Sequence, residues 1–169
     1  MSSLERCELI LTSRCNFRCP YCRNLKNKYQ GDMDIDSAKN ILRIWIDNDL
    51  KNVRFSGGEP TMYYGLLELV EMCKDNGVER IAISTNGSNS FRTYSKLIQT
   101  GVNDFSISLD ACCATVGNVM SGGPKCWDKV VENIKALSEM TYVSVGMVFT
   151  ETNIHECLES VLFADSLGV

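Results

Sequence analysis

The 169-residue chain has one histidine, His155, against nine cysteines. It has no excess of positive charge: 17 Lys and Arg face 21 Asp and Glu, for a net charge of −4. That balance lacks the basic footprint of a nucleic-acid-binding protein and argues against nucleic acid as the main partner. No apolar run approaches the ~20 residues that a membrane-crossing helix needs. The first residues, Met1-Ser2-Ser3-Leu4-Glu5-Arg6, lack the apolar centre of a secretory signal. A cytoplasmic protein without membrane partners is therefore expected. Linkers, repeat arrays and low-complexity stretches are also missing, so the length fits one compact domain over 1–169.

The cysteines are unusual in number and in placement. Their count is odd, so a fully paired disulfide set is impossible, and nothing directs the chain to an oxidising compartment. Three of them fall in the segment Cys15-Asn16-Phe17-Arg18-Cys19-Pro20-Tyr21-Cys22, a Cys-x3-Cys-x2-Cys pattern. Thiolates are soft ligands suited to iron–sulfur clusters or zinc. A structural zinc site closes with four ligands. This loop offers three, and His155 lies far off in sequence. On a four-iron cluster, three thiolates leave one iron open to another ligand.

The rest of the chain alternates strand and helix patterns. Strands are expected at Glu8–Thr12, Asn52–Ser56, Arg80–Ser84, Asp104–Leu109 and Tyr142–Phe149. The first helix has Asp34 or Asp36 as its cap and a stripe of Ala38, Ile41, Leu42, Trp45 and Ile46. Later helices carry Leu66, Leu67, Leu69, Val70 and Cys73, then Tyr94, Leu97 and Ile98. A fourth carries Trp127, Val130, Val131, Ile134 and Leu137, and a fifth runs from near Asn153 to about Leu167. Gly77 and Gly101 mark helix stops. Strict alternation implies an α/β fold with a parallel sheet and outer helices. A closed eight-fold barrel takes about 250 residues, so five units make an open, partial (β/α) barrel. The chain reaches Val169 where a sixth strand is expected, which reads as a piece of a longer protein.

Each distinctive polar cluster falls at the carboxyl end of a strand, the edge at which parallel sheets bind ligands. These clusters are the three cysteines, Ser56-Gly57-Gly58-Glu59-Pro60, Thr85-Asn86-Gly87, and Ser106, Ser108 and Asp110. A last one is Gly146-x-Val148-x-Thr150-x-x-Asn153. Taken singly, the glycine clusters are also ordinary turns. Alternation places Ser106, Ser108 and Asp110 on one face.

The cysteine segment resembles the signature of the radical S-adenosylmethionine (AdoMet) superfamily. Tyr21, the aromatic before the last cysteine, matches that signature too, and Arg14 with Asn16-Phe17-Arg18 is most similar to the branch of molybdenum-cofactor biosynthesis enzymes and SPASM-type peptide maturases and activating enzymes. The resemblance runs from Cys15 to about Asn153. It implies an enzyme core of six βα units, of which about five are present here. Cys15, Cys19 and Cys22 would hold a 4Fe–4S cluster that reductively cleaves AdoMet. The resulting 5′-deoxyadenosyl radical would take a hydrogen atom from a substrate. The resemblance assigns Gly57, Gly58 and Glu59 to the AdoMet amino group. Thr85 and Asn86 go to its carboxylate, and Ser108, with Ser106, to carboxylate and ribose. Asp110, Tyr21 and Arg14 complete the cofactor-binding set, and no separate catalytic residue is identified. The last cluster is similar to an adenine-side GxIxGxxE motif, from which Thr150 and Asn153 depart.

Implied partners are a flavodoxin- or ferredoxin-type reductant and a peptide or protein substrate; cofactor biosynthesis is the other substrate class. The competing readings are a non-catalytic zinc module and an iron–sulfur scaffold. Cys112, Cys113 and Cys126 are expected near the site mouth; auxiliary-cluster ligation and free-thiol roles are both open to them, and their spacing matches neither motif. Cys73 and Cys157 are expected to pack as small apolar side chains, and His155 to be solvated.

Overall fold

The computed structural model describes residues 4–23 and 31–169. Met1, Ser2 and Ser3 of the amino-terminal segment lie outside the described residues. Five strands form one parallel sheet in the order β1-β2-β3-β4-β5: Arg6–Thr12, Asn52–Gly57, Arg80–Thr85, Asp104–Ser108 and Tyr142–Gly146. β1 and β5 are the two edges and do not pair with each other, so the barrel is open. Helices α1 (Ile35–Asp47), α2 (Leu66–Asp75), α3 (Phe91–Thr100), α5 (Trp127–Ser138) and α6 (Cys157–Asp165) follow successive strands.

Period-two alternation sorts the strands into two faces. Leu9, Leu11, Val53, Phe55, Ile81, Ile83, Phe105 and Ile107 are buried on the helix side. They meet Leu42, Leu69, Leu97 and Ile134 from the helices, which are buried as well. Each such side chain contributes about 1.5–3 kcal/mol on burial. The concave face carries Glu8, Ile10, Arg54, Ser84, Ser106 and Ser108, all partly or fully exposed.

Local signals set the helix ends. Asp34, rather than Asp36, caps α1 by accepting from Ser37 N at 2.9 Å. Ser90 caps α3, and Gly101 ends it at φ 141°. Gly77, just past α2, has φ 76°.

Two elements differ from the sequence expectation. A seven-residue helix, α4 (Ala114–Met120), stands between β4 and α5 where only a loop was expected. Its Gly117 is the reason it fits: a Cβ there would lie 2.1 Å from the Trp127 ring. Strand β5 stops at Gly146 rather than Phe149. Beyond it, Val148 N donates to the Asp110 carboxylate at 2.8 Å instead of to a neighbouring strand. The last helix is split accordingly, with a 3-10 turn at Ile154–Glu156 before α6. Among the described residues, no helix is long and apolar enough to cross a membrane.

Candidate functional site

The cysteine loop leaves β1 and is held from three sides. Beneath it, Gly58 N donates to Thr12 O at 2.6 Å and Glu59 N donates to Arg14 O at 2.7 Å. This approach is the physical requirement for both glycines. A Cβ on Gly57 would sit 2.3 Å from Thr12 O, and one on Gly58 would sit 2.2 Å from Arg14 O. On the second side, Arg18 N donates to Ser121 O at 2.9 Å, and Gly122, at φ 80°, lets that loop touch the Arg18 backbone. On the third, Asn86 Nδ2 donates to Asn16 Oδ1 at 2.8 Å and lies 3.8 Å from Cys15 Sγ. Within the loop, Phe17 N donates to Cys15 Sγ at 3.3 Å.

Cys15, Cys19 and Cys22 line one cavity of about 200 Å³ at the carboxyl edge of the sheet. The cavity is also lined by Ser84, Asn86, Ser108 and Asp110, with Leu109, Trp127 and Val130 as apolar surface. Burial pushes the Cys15 thiol up, and pushes Cys19 from 9.0 up to about 11. Asp110 is also raised by burial, against two donors: the Tyr21 hydroxyl and Val148 N.

The structure brings together Cys15, Cys19, Cys22, Tyr21, Gly57, Gly58, Thr85, Asn86, Ser108 and Asp110 around this cavity. It treats three other expectations differently, and it gives Asn153 a structural place. Glu59 does not line it. The carboxylate is 1% exposed and accepts from Thr61 N, Thr61 Oγ1 (2.6 Å), Thr85 Oγ1 (2.8 Å) and Asn86 N (2.8 Å). Both oxygens are engaged by the protein, so Glu59 ties the β2 end to the β3 end. Arg14 also points elsewhere: its guanidinium grips Asp32 with two bonds of 2.8 and 2.7 Å and donates to Met62 O. Ser106 shares a face with Ser108 but lies too deep along β4 to reach the cavity wall. Asn153, completely buried, donates to Asp110 O and Val148 O and accepts from Thr150 N. It staples the β4 and β5 ends together instead of facing a ligand.

The other cysteines separate. Cys126 lines the cavity at the start of α5, whereas Cys112 and Cys113 gather elsewhere with Glu156. Cys73 is buried, as expected of a packing residue. Sequence reading missed Asn16 and Ser88, which complete the polar lattice behind Cys15: Asn16 Nδ2 donates to Ser88 Oγ at 2.8 Å. It also missed Trp127 as a cavity residue, because its helical spacing reads equally well as core.

The donor chemistry fits a cluster better than a single ion. Tetrahedral zinc holds thiolate sulfurs about 3.8 Å apart. Among the described residues, Cys15, Cys19 and Cys22 are not a group whose ligand atoms lie within 4.8 Å of one another. A four-iron cluster gives each thiolate its own iron and needs that wider spacing.

Residues 9–164 match the family model described as the Radical SAM superfamily. Among curated proteins, the chain is 26% identical over 170 residues to a probable GTP 3',8-cyclase of Sulfurisphaera tokodaii, covering 99% of this chain and 54% of that protein. It is 29% identical over 141 residues to the GTP 3',8-cyclase of Actinobacillus pleuropneumoniae, covering 79% and 41%. The chain thus spans about half the length of the archaeal relative and less of the bacterial one. Among solved structures, Streptococcus suis SuiB bound to precursor peptide SuiA superposes with a TM-score of 0.81 at 20% identity, over 100% of this chain and 38% of that one. The anSMEcpe structure with bound AdoMet and Kp18Cys peptide gives 0.75 at 16% identity, over 98% and 49%.

Proposed function

The chain belongs to the radical SAM superfamily, whose members use a 4Fe–4S cluster and AdoMet, and from that premise we propose that its cavity holds both groups and serves hydrogen-atom abstraction from a substrate. One observation carries the proposal: three thiols share a single cavity with a polar wall that is only partly engaged by the protein. When bound, the two groups supply one-electron cleavage of a carbon–sulfur bond and, through it, removal of a substrate hydrogen.

The chain's own residues prepare that chemistry. Cys15, Cys19 and Cys22 would ligate the cluster as thiolates, so the protons held on Cys15 and Cys19 by burial leave as the metal enters. The Ser84 and Ser108 hydroxyls make no side-chain hydrogen bond among the described residues and face the cavity, where they suit the carboxylate or hydroxyls of AdoMet. The Gly57-Gly58 backbone also borders it. Asn86 is fully engaged by Asn16 and Ser88, so it orients the loop behind Cys15 rather than adapting to a ligand. Leu109, Val130 and Trp127 exclude water from one side, which reactive radical chemistry requires.

A flavodoxin- or ferredoxin-type protein is the proposed electron source. Two substrate classes remain under this reading: a nucleotide, as in the names of the curated relatives, and a peptide, as in the SuiB complex. The test is anaerobic reconstitution with iron and sulfide, then incubation with AdoMet and dithionite. Formation of 5′-deoxyadenosine, lost in Cys19→Ser, supports the proposal. A colourless protein that forms no 5′-deoxyadenosine and holds zinc that is lost in Cys19→Ser overturns it in favour of a zinc module.

A further inference from the structure

A second cluster of ligating groups lies outside the cavity. Ala111-Cys112-Cys113 leads from β4 into α4, and Glu156 ends the 3-10 turn before α6. The two sulfurs and a Glu156 carboxylate oxygen lie within 4.8 Å of one another, and all three residues are half-buried. Glu156 Oε2 is 3.7 Å from Cys112 Sγ, while its other oxygen faces His155 Nε2 at 3.8 Å. A separate feature points at the same spot. Ser160, one turn into α6, is 1% exposed, and its hydroxyl has no hydrogen-bond partner among the described residues. That hydroxyl sits beside Cys112 without meeting hydrogen-bond geometry to it. Burial of a polar hydroxyl without a partner costs about 1–3 kcal/mol, so its placement calls for an acceptor.

We propose that Cys112, Cys113 and Glu156 bind a borderline-soft divalent cation of the zinc type, with water as the fourth ligand and the Ser160 hydroxyl donating to the Cys112 sulfur. Zinc takes sulfur at about 2.3 Å and carboxylate oxygen at about 2.0–2.2 Å, which sets ligand atoms roughly 3.5–3.8 Å apart in a tetrahedron. The observed grouping closes to that geometry by side-chain rotation of about 1 Å. Two sulfurs and a carboxylate oxygen gathered this closely form a donor set that a divalent ion can bridge. The ion would pin the start of α6 to the segment directly after Asp110, bracing the wall of the cavity from behind. The site does not depend on the cofactors proposed above.

The test uses the full chain carrying Cys15→Ser, Cys19→Ser and Cys22→Ser, so that the first thiol set cannot compete. Anaerobic titration with Co²⁺ is expected to give one equivalent with thiolate charge-transfer absorption and tetrahedral d–d bands, displaced by Zn²⁺. Adding Cys112→Ser with Cys113→Ser should abolish the spectrum, and Ser160→Ala should weaken binding about 10- to 100-fold. Absence of bound Co²⁺ in a chain that circular dichroism shows to be folded overturns the proposal, as does a spectrum unchanged by the double substitution. If the triple variant does not fold, zinc content of the otherwise wild-type chain decides. One equivalent missing from Cys112→Ser/Cys113→Ser supports the site, and equal content overturns it.

Discussion

Glu59 shows how a residue's chemistry and its position can diverge. A carboxylate in a glycine-rich turn at a strand end suits an ammonium ligand, yet its oxygens face Thr61, Thr85 and Asn86. Glu59→Ala would leave those donors unpaired in a buried place, at a cost of about 3 kcal/mol. Because Asn86 backs Cys15, the variant should lose cluster incorporation together with AdoMet affinity. Urea unfolding and iron content measure the two effects, and intact iron content with AdoMet binding lost would restore a direct ligand role. Gly58→Ala places a Cβ against backbone rather than a movable side chain. The expected result is destabilisation of about 1–3 kcal/mol and poor cluster assembly. Cys19 gives a pH prediction. Its folded-state pKa is raised from 9.0 to about 11, so the folded chain holds that proton longer than the unfolded one. Its stability contribution is complete below pH 9 and is lost as pH rises toward 11. In anaerobic urea titrations of the cluster-free chain, the wild type should lose stability across that interval more steeply than Cys19→Ser.

Among the elements, the β4–α5 connection has the largest influence on the site. Ser121 and Gly122, just after α4, dock on the Arg18 backbone, so a helix invisible to periodicity holds the cysteine loop. Gly122→Val should lower cluster yield on reconstitution while leaving the five-strand sheet intact by circular dichroism. Equal yields would show that the loop is positioned without this contact. Asn153 performs the same service for β4 and β5. Asn153→Ala removes four hydrogen bonds from a completely buried amide, at about 2 kcal/mol. It also frees the segment carrying Val148, whose N–H restrains Asp110. Chemical denaturation gives the loss directly.

At the scale of the molecule, ligands and stability are coupled through one edge of the sheet. The cavity draws residues from the ends of β1, β2, β3 and β4 and from α5, so a ligand that fills it joins segments distant in sequence. Saturating AdoMet at 100 times its dissociation constant adds about 2.7 kcal/mol. For a chain of this size that raises Tm by roughly 5–10 °C. The rise should appear in the cluster-loaded protein and be absent from the Cys15→Ser variant; scanning calorimetry distinguishes the two. The open side remains partly apolar, with Ile10 64% exposed on the concave face and Leu158 and Leu162 exposed on α6.

The sequence by itself determined the parallel sheet, five strand positions and the gathering of three thiols in one loop. Period-two and period-3.6 patterns are local, and thiolate spacing is local too. It also determined that the polar clusters share an edge, because strand direction in a βα chain follows from the alternation. Only the tertiary structure decided which groups face the cavity. Glu59, Arg14 and Asn153 each find protein partners contributed by other segments, and no local pattern encodes a partner from another segment. The same holds for Cys112, Cys113 and Glu156, which are 43 or 44 positions apart in the chain and become neighbours only when α6 folds back on the end of β4.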